Sequence, residues 1–281
     1  MEQKSDAKVI EGLIQALEAK GKSPSTIQTY NRIIRNFMNW LKTYGGDLNQ
    51  LTRIDIQQYI HYLEEKGNSA STIENKFAAL SFLARHLDAE EILQHIRRPE
   101  VRKTQHIAPK SLDRNERNRV LREVERTRNL RNIALVYLFI YSGLRVSEIA
   151  ALNREDIIIG QRKGSVTVRK GKGNIARTVP LPIEARLHLS QYLKTRTDRC
   201  AALFLSNYQQ RISIRSIQRV LEKFSVHPHA LRHTYCRELV GAGVDIATVA
   251  ELAGHNDINI TRRYSKPSAI ELEHTIQKVF G

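Results

Sequence analysis

Between Ser23 and Gly45 the apolar side chains Ile27, Tyr30, Ile34, Phe37, Met38 and Leu41 recur every three or four positions. An α-helix turns once every ~3.6 residues, so this spacing lines one face of a helix. Such a face must be buried against other helices, which rules out a sheet-built start to the chain. The stretches LTRIDIQQYIHYLEEKG and STIENKFAALSFLARHL follow the same rhythm. KGKSPSTI (20–27) and KGNSASTI (66–73) open two of these helices with the same capping chemistry, and two copies are too few for a solenoid. Ser25 and Ser71 are expected to cap their own helices, with phosphate binding as the functional alternative. The first 96 residues therefore read as one helical domain.

RRPEVRKTQHIAPKSL (97–112) breaks the pattern with two prolines and a run of basic residues, and residues 97–111 read as a linker. Asp113 and Glu116 are spaced as a capping box for a new helix. NIALVYLFIYSGL is apolar almost throughout, which predicts a buried helix ending near Gly143. The period then changes. SVTV and ARTVPL alternate as strands do, with KGKGN as the turn between them. Helices are expected again around LRHTYCRELVGAG and ATVAELAG, and a final amphipathic helix over 268–280 carries Leu272, Ile276 and Val279. The fold class is mainly α: a helical N-terminal domain and, over 112–281, a mixed but mostly helical domain with a small hairpin.

Lys and Arg number 45 against 29 Asp and Glu, a net charge of +16. Surplus positive charge on a folded chain points to a polyanionic partner, with nucleic acid ahead of an anionic membrane surface. No apolar run approaches the ~18 residues that span a bilayer. The opening MEQKSDAKVIEGL lacks a secretory core. Cys200 and Cys236 stand far apart, as in a reducing cytosol, and suggest neither a disulfide framework nor a zinc site.

The sequence has no GxxxxGK[ST] loop, no HExxH and no dense carboxylate cluster for a metal pair. Cleavage of a phosphodiester without metal needs cations on the non-bridging oxygens, a nucleophile, a base and an acid. Arginine suits the first task because its planar fork binds two phosphate oxygens. In HPHALRHTYCREL, Pro228 fits a first helical turn, and His229 and Arg232 fall three apart on one helix face. His233 is rotated by about a third of a turn and is expected to point elsewhere. Arg145 follows Gly143, with Glu148 as an ion-pair partner. Lys172 sits at the hairpin tip, with Lys170 as a near rival, and His255 lies just beyond Gly254. Each fragment alone is also what an ordinary surface would show.

Together, in order and spacing, these fragments resemble the catalytic domain of the tyrosine recombinases, the phage-integrase and Xer-like family. The segment Gly143-Leu144-Arg145-Val146-Ser147-Glu148 is similar to the family's first arginine box. Gly171-Lys172-Gly173-Asn174 through Arg177, Val179 and Pro180 resembles its lysine hairpin. Pro228-His229-Ala230-Leu231-Arg232-His233-Thr234 resembles its second arginine box, and Gly254-His255 is followed nine residues on by Tyr264. The likeness covers roughly residues 110–281. The first hundred residues resemble, with weaker motifs, the family's SAM-like core-binding domain. Two departures, Ala253 before Gly254 and Ile175 in the hairpin, remove no catalytic group.

The resemblance implies a two-domain clamp on double-stranded DNA, in a simple, Xer-sized or transposon-resolvase-like member. Tyr264 would attack phosphorus and form a 3′-phosphotyrosyl link. Arg145 and Arg232 would clamp the phosphate, and His229 would act as base. Lys172 would protonate the leaving 5′-oxygen. His255 would add a hydrogen bond to the transition state or help order Arg232, and Glu148 would hold Arg145. No cofactor or metal is implied. The expected active form is a cytoplasmic, nucleoid-associated homotetramer on two sites, proceeding through a Holliday junction. The tail helix is expected to dock on a neighbour, with packing on its own domain as the alternative, and the need for accessory proteins is left open. Two alternatives stand at this level: a type IB topoisomerase-like enzyme, and a DNA-binding regulator that does not cut.

Overall fold

The computed structural model describes residues 6–100, 111–169, 176–255 and 257–262, with Tyr264 and Gln277. The chain divides into two compact units, Met1–Thr104 and Gln105–Gly281. The hairpin tip with Lys170 and Lys172, much of the basic linker, and the tail helix apart from Gln277 lie outside the described residues.

The N-terminal unit is built from α1 (Asp6–Ala19), α2 (Pro24–Thr43), α3 (Arg53–Glu65) and α4 (Ala70–His86). The predicted stripe of α2 behaves as its spacing requires. Ile34, Phe37, Met38 and Leu41 are buried, and Ile27 and Tyr30 are half-buried at its edge. They meet Leu13 and Leu17 of α1, Ile56 and Ile60 of α3, and Leu80 and Leu83 of α4 in one core. Full burial of a Leu or Ile side chain contributes about 1.5–3 kcal/mol, more than the isolated helices could supply. The caps fall two residues earlier than the sequence reading placed them. Ser23 and Ser69, not Ser25 and Ser71, are the N-caps, accepting from the amides of Thr26 and Thr72 at 3.3 Å each. Pro24 occupies the first helical position, where a missing N–H costs nothing, so the residue before it becomes the cap.

In the C-terminal unit, Asp113 and Glu116 form the expected reciprocal capping box, each bond 2.8 Å, at the start of α5 (Arg114–Arg126). α6 (Leu130–Ser142) is buried from Ile133 to Ile140, as a helix apolar on all sides must be. It packs against α5, α8 (Ile183–Lys194) and α10 (Pro228–Gly241), and ends at Gly143 in the left-handed conformation. α7 (Val146–Ala151) follows at once.

The expected hairpin is part of a three-stranded antiparallel sheet in the order β1 (Ile157–Ile159), β2 (Gly164–Val168), β3 (Arg177–Pro180). β1 escaped the sequence reading because Ile157-Ile158-Ile159 does not alternate. The β2–β3 register pairs Val166 with Val179 and Val168 with Arg177. Side chains alternate faces along a strand, so Arg177 shares the inward face with Val179. α9 (Ile214–Glu222), α11 (Ile246–Ala253) and α12 (Ile258–Arg262) complete the unit. Among the described residues, no helix is long and apolar enough to cross a membrane.

Candidate active site

Arg145 is the N-cap of α7, delivered there by the sharp turn at Gly143. That glycine is obligatory on two grounds. Its φ is +59°, and a Cβ would sit 2.3 Å from the Tyr235 ring. Arg145 Nη1 donates to Glu148 Oε1 at 2.9 Å, and its backbone amide donates to Glu148 Oε2 at 2.7 Å. The ion pair read from the sequence is thus present, but it is no surface pair. Glu148 is 4% exposed and is shared with Arg177, which grips it through both Nη atoms at 3.0 and 2.8 Å. Burial pushes the Glu148 carboxyl up, but hydrogen bonds from Arg177 and Arg145 outweigh it and hold the pKa below its usual value.

Arg177 also ties this pair to the turn that carries His255. Its Nε donates to the carbonyl of Leu252 at 3.0 Å, while Arg145 Nη2 donates to the carbonyl of Gly254. Gly254 lies directly over the Arg177 guanidinium. A Cβ there would meet Nη1 at 2.6 Å, and φ is +69°. Gly254→Ala is therefore expected to lower stability by about 1–3 kcal/mol, measured by thermal or urea unfolding. An unchanged midpoint would mean that the turn relaxes without Arg177.

Arg232 is 4% exposed on α10, and Nη1 donates to the carbonyl of Gly143 at 2.7 Å. Its Nη2 is buried with no partner among the described residues. Burial, and then the neighbouring charge of Arg145, lower its pKa to about 10, so it stays charged at neutral pH at a cost. Glu148 is the carboxylate that pairs with Arg145 and with Arg177, and Arg232 has no ion-pair partner among the described residues. Three guanidinium groups around one carboxylate leave unbalanced positive charge, with a donor to spare. That is the electrostatic signature of a site for an anion.

His255 accompanies them, with Nδ1 2.8 Å from Thr261 Oγ1 on α12. Burial, then the charges of Arg232 and Arg145, hold its imidazole down to about 4 from an ordinary 6.5. It is therefore neutral at physiological pH, able to offer a hydrogen bond without adding charge. As pH falls, the unfolded chain takes up this proton first. The contribution to stability is complete above pH 6.5 and is lost progressively toward pH 4. His255→Asn is expected to flatten the acid limb of a stability-against-pH curve by on the order of 1–3 kcal/mol. An identical limb in the variant would exclude His255 as the source.

Tyr264 follows α12, its amide bonded to the carbonyl of Thr261 at 3.0 Å, and its ring packs near Cys236, Val249 and Ala253. Its hydroxyl is hydrogen-bonded to His233 Nδ1. His233 does not point away from the site, as its rotation on the helix had suggested. α11 and α12 return along that flank of α10 and bring Tyr264 to it. His229 is exposed and stacks on His233 with ring centroids 6.3 Å apart. The structure thus gathers Arg145, Glu148, Arg232 and His255 in one cluster and sets Tyr264, which follows α12, against His233 of α10, the helix that carries Arg232. Lys172 lies outside the described residues. Sequence reasoning missed Arg177, His233 and Thr261. Arg177 stood inside the quoted R-x-V-P pattern, where its inward strand register was the available signal.

The Phage integrase family model matches residues 110–270, and the phage integrase N-terminal SAM-like domain matches residues 9–93. The chain belongs to the phage integrase family. It is a tyrosine recombinase, an enzyme of site-specific recombination. Tyrosine recombinase XerA of Thermococcus kodakarensis is 30% identical over 96% of this chain and 94% of its own. The TnP I resolvase of Bacillus thuringiensis is 28% identical over 93% and 96%. The phage-integrase fold extends over both units: the XerH recombinase bound to its difH substrate superposes with a TM-score of 0.71 at 19% identity, over 98% of this chain and 84% of that one.

Proposed function

We propose that this recombinase exchanges strands between two double-stranded DNA sites through a 3′-phosphotyrosyl intermediate and a Holliday junction. The observation that carries this reading is the buried Arg232, whose Nη2 lacks a partner among the described residues beside Arg145 and Arg177. A phosphodiester supplies the missing acceptor and the missing negative charge together. Tyr264 is the nucleophile. A phenol has an ordinary pKa near ~10, so its proton must leave as the bond to phosphorus forms. Arg145 and Arg232 hold the non-bridging oxygens, His255 adds a neutral hydrogen bond, and Lys172 protonates the leaving 5′-oxygen. Glu148 and Arg177 position Arg145 and the His255 turn. One phosphodiester replaces another, so the step needs no ATP, and its reversal onto a second strand is recombination.

His229 is the proposed base. His233, which holds the phenol oxygen, is the competing group. Loss of cleavage in His229→Ala with cleavage kept in His233→Ala assigns the proton to His229, and the reverse pattern assigns it to His233. Residues 1–96 are proposed as the core DNA-binding domain, 97–111 as a basic strap and 112–281 as the catalytic domain. The tail over 268–280 docks on a neighbouring protomer in a cytoplasmic, nucleoid-associated tetramer. Phosphate contacts from both units make binding fall steeply with salt.

The test pairs two substrates drawn from the DNA flanking the gene. A nicked suicide duplex is expected to trap a detergent-resistant protein–DNA adduct, and a two-site plasmid is expected to yield recombinant circles. Binding without adduct, or relaxation without recombinants, would overturn the proposal.

A further inference from the structure

The N-terminal unit holds a cavity of about 590 Å³ that the strand-exchange chemistry does not use. It opens between the C-terminal halves of α2 and α3 and the start of α4. Four rings line it: Trp40, Tyr44, Tyr59 and Tyr62. Trp40 stands 4.9 Å from Tyr44 and 5.0 Å from Tyr59, and Tyr44 meets Tyr62 edge-on at 6.5 Å. Tyr44 is 64% exposed, so one large ring face is left to solvent at the mouth.

Polar and charged groups share this lining with the rings. Trp40 is 8% exposed, and its Nε1 is buried without a partner among the described residues. Lys66 Nζ lies 5.6 Å from the Tyr62 ring centre. Lys76 donates to Asn68 at 3.0 Å, and burial, then Arg32, push its pKa down. Asn36 and Asn39 add two amides that can both donate and accept.

A cage of aromatic rings commonly takes an ammonium cation. Among the described residues this one is lined by two lysines and by no carboxylate, so a cation is repelled. A small inorganic anion would satisfy the lysines and leave the rings unused. A planar ring bearing a negative group uses both, with the amides for its polar edge. The cavity is also within the roughly 300–1,000 Å³ of ordinary ligand pockets. We propose that it binds one unstacked nucleotide, a nucleobase stacked on the aromatic rings with its phosphate at Lys66. The nucleotide comes either free from solution or from an unpaired position in a DNA strand. Strand exchange opens base pairs, and to that extent the second source rests on the function proposed above.

The chain has one tryptophan, Trp40, so indole fluorescence reports on this cavity alone. The full chain is titrated with deoxynucleoside monophosphates, with a duplex carrying one bulged nucleotide, and with the same duplex fully paired. Saturable quenching by monophosphates assigns the free nucleotide, and stronger quenching by the bulged than by the paired duplex assigns the strand. Either supports the proposal. Tyr44→Ala, at an exposed position that spares the core, is expected to weaken that binding about tenfold. Lys66→Ala is expected to reduce its salt dependence. No quenching by monophosphates together with equal quenching by the two duplexes would overturn the inference, as would a Tyr44→Ala variant with unchanged affinity. The titration does not require cleavage, so its failure leaves the adduct experiment intact.

Discussion

Tyr264→Phe is expected to bind duplex DNA with wild-type affinity and to form no covalent adduct on a nicked substrate. The expected fall in cleavage is roughly 10⁵-fold or more, the scale seen when a covalent nucleophile is removed. Binding survives because affinity comes from many phosphate contacts, to which one phenol adds little. The hydroxyl's bond to His233 is also lost, which costs stability about 0.5–1.5 kcal/mol and does not threaten the fold. An adduct that persists in this variant would mean another nucleophile. Tyr235 is the nearest rival by sequence, but burial, and then Cys236, raise its pKa to about 12, and its ring is wedged beneath Gly143. It is the harder phenol to ionise. Adduct mapping on the variant separates the two.

Arg232→Gln is expected to separate stability from activity in opposite directions. The buried guanidinium has a pKa of about 10 against an ordinary 12.5. The folded state therefore opposes this charge by on the order of 3 kcal/mol at neutral pH. Glutamine removes the charge, and its amide can still donate toward the carbonyl of Gly143 that Arg232 Nη1 now reaches. The DNA-free protein should gain about 1–2 kcal/mol once the weaker contact is allowed for, read as a higher melting temperature. Cleavage should fall about 10²–10³-fold, the usual effect of losing one donor to a developing oxyanion. A variant that melts lower, or cleaves normally, would show that Arg232 is a structural cation rather than a phosphate ligand. Such a trade between stability and activity is expected where a site holds charge in readiness for a substrate.

Much of this protein was legible before its structure. The three- and four-residue spacing of Ile34, Phe37, Met38 and Leu41 settled a packed helix, because a periodic apolar face has one way to leave water. The unbroken apolar run from Ile133 to Ile140 settled a buried one. Asp113 and Glu116 wrote their capping box locally, since cap chemistry acts within four residues. The residues proposed for the active site were singled out through the order and spacing of their motifs, not through any local property. Arg145, Arg232 and His255 stand in fragments that an ordinary basic surface would also contain.

What the sequence could not express is which groups meet across long separations. Glu148 and Arg177 are 29 positions apart, and Arg145 and Gly254 are 109 apart. Their contacts depend on the β2–β3 register and on where α11 ends. His233 looked misdirected because helical rotation describes one helix, while the path of α11 and α12 decides which flank Tyr264 approaches. The same holds for Trp40, Tyr44, Tyr59 and Tyr62. The sequence by itself determined the helices and their buried faces, consequences of local spacing, and through its motifs it supplied the residues proposed for catalysis. Only the tertiary structure decided that Arg232 would keep one buried donor, Nη2, without a partner among the described residues. Burial and charge crowding arise from all the neighbours at once.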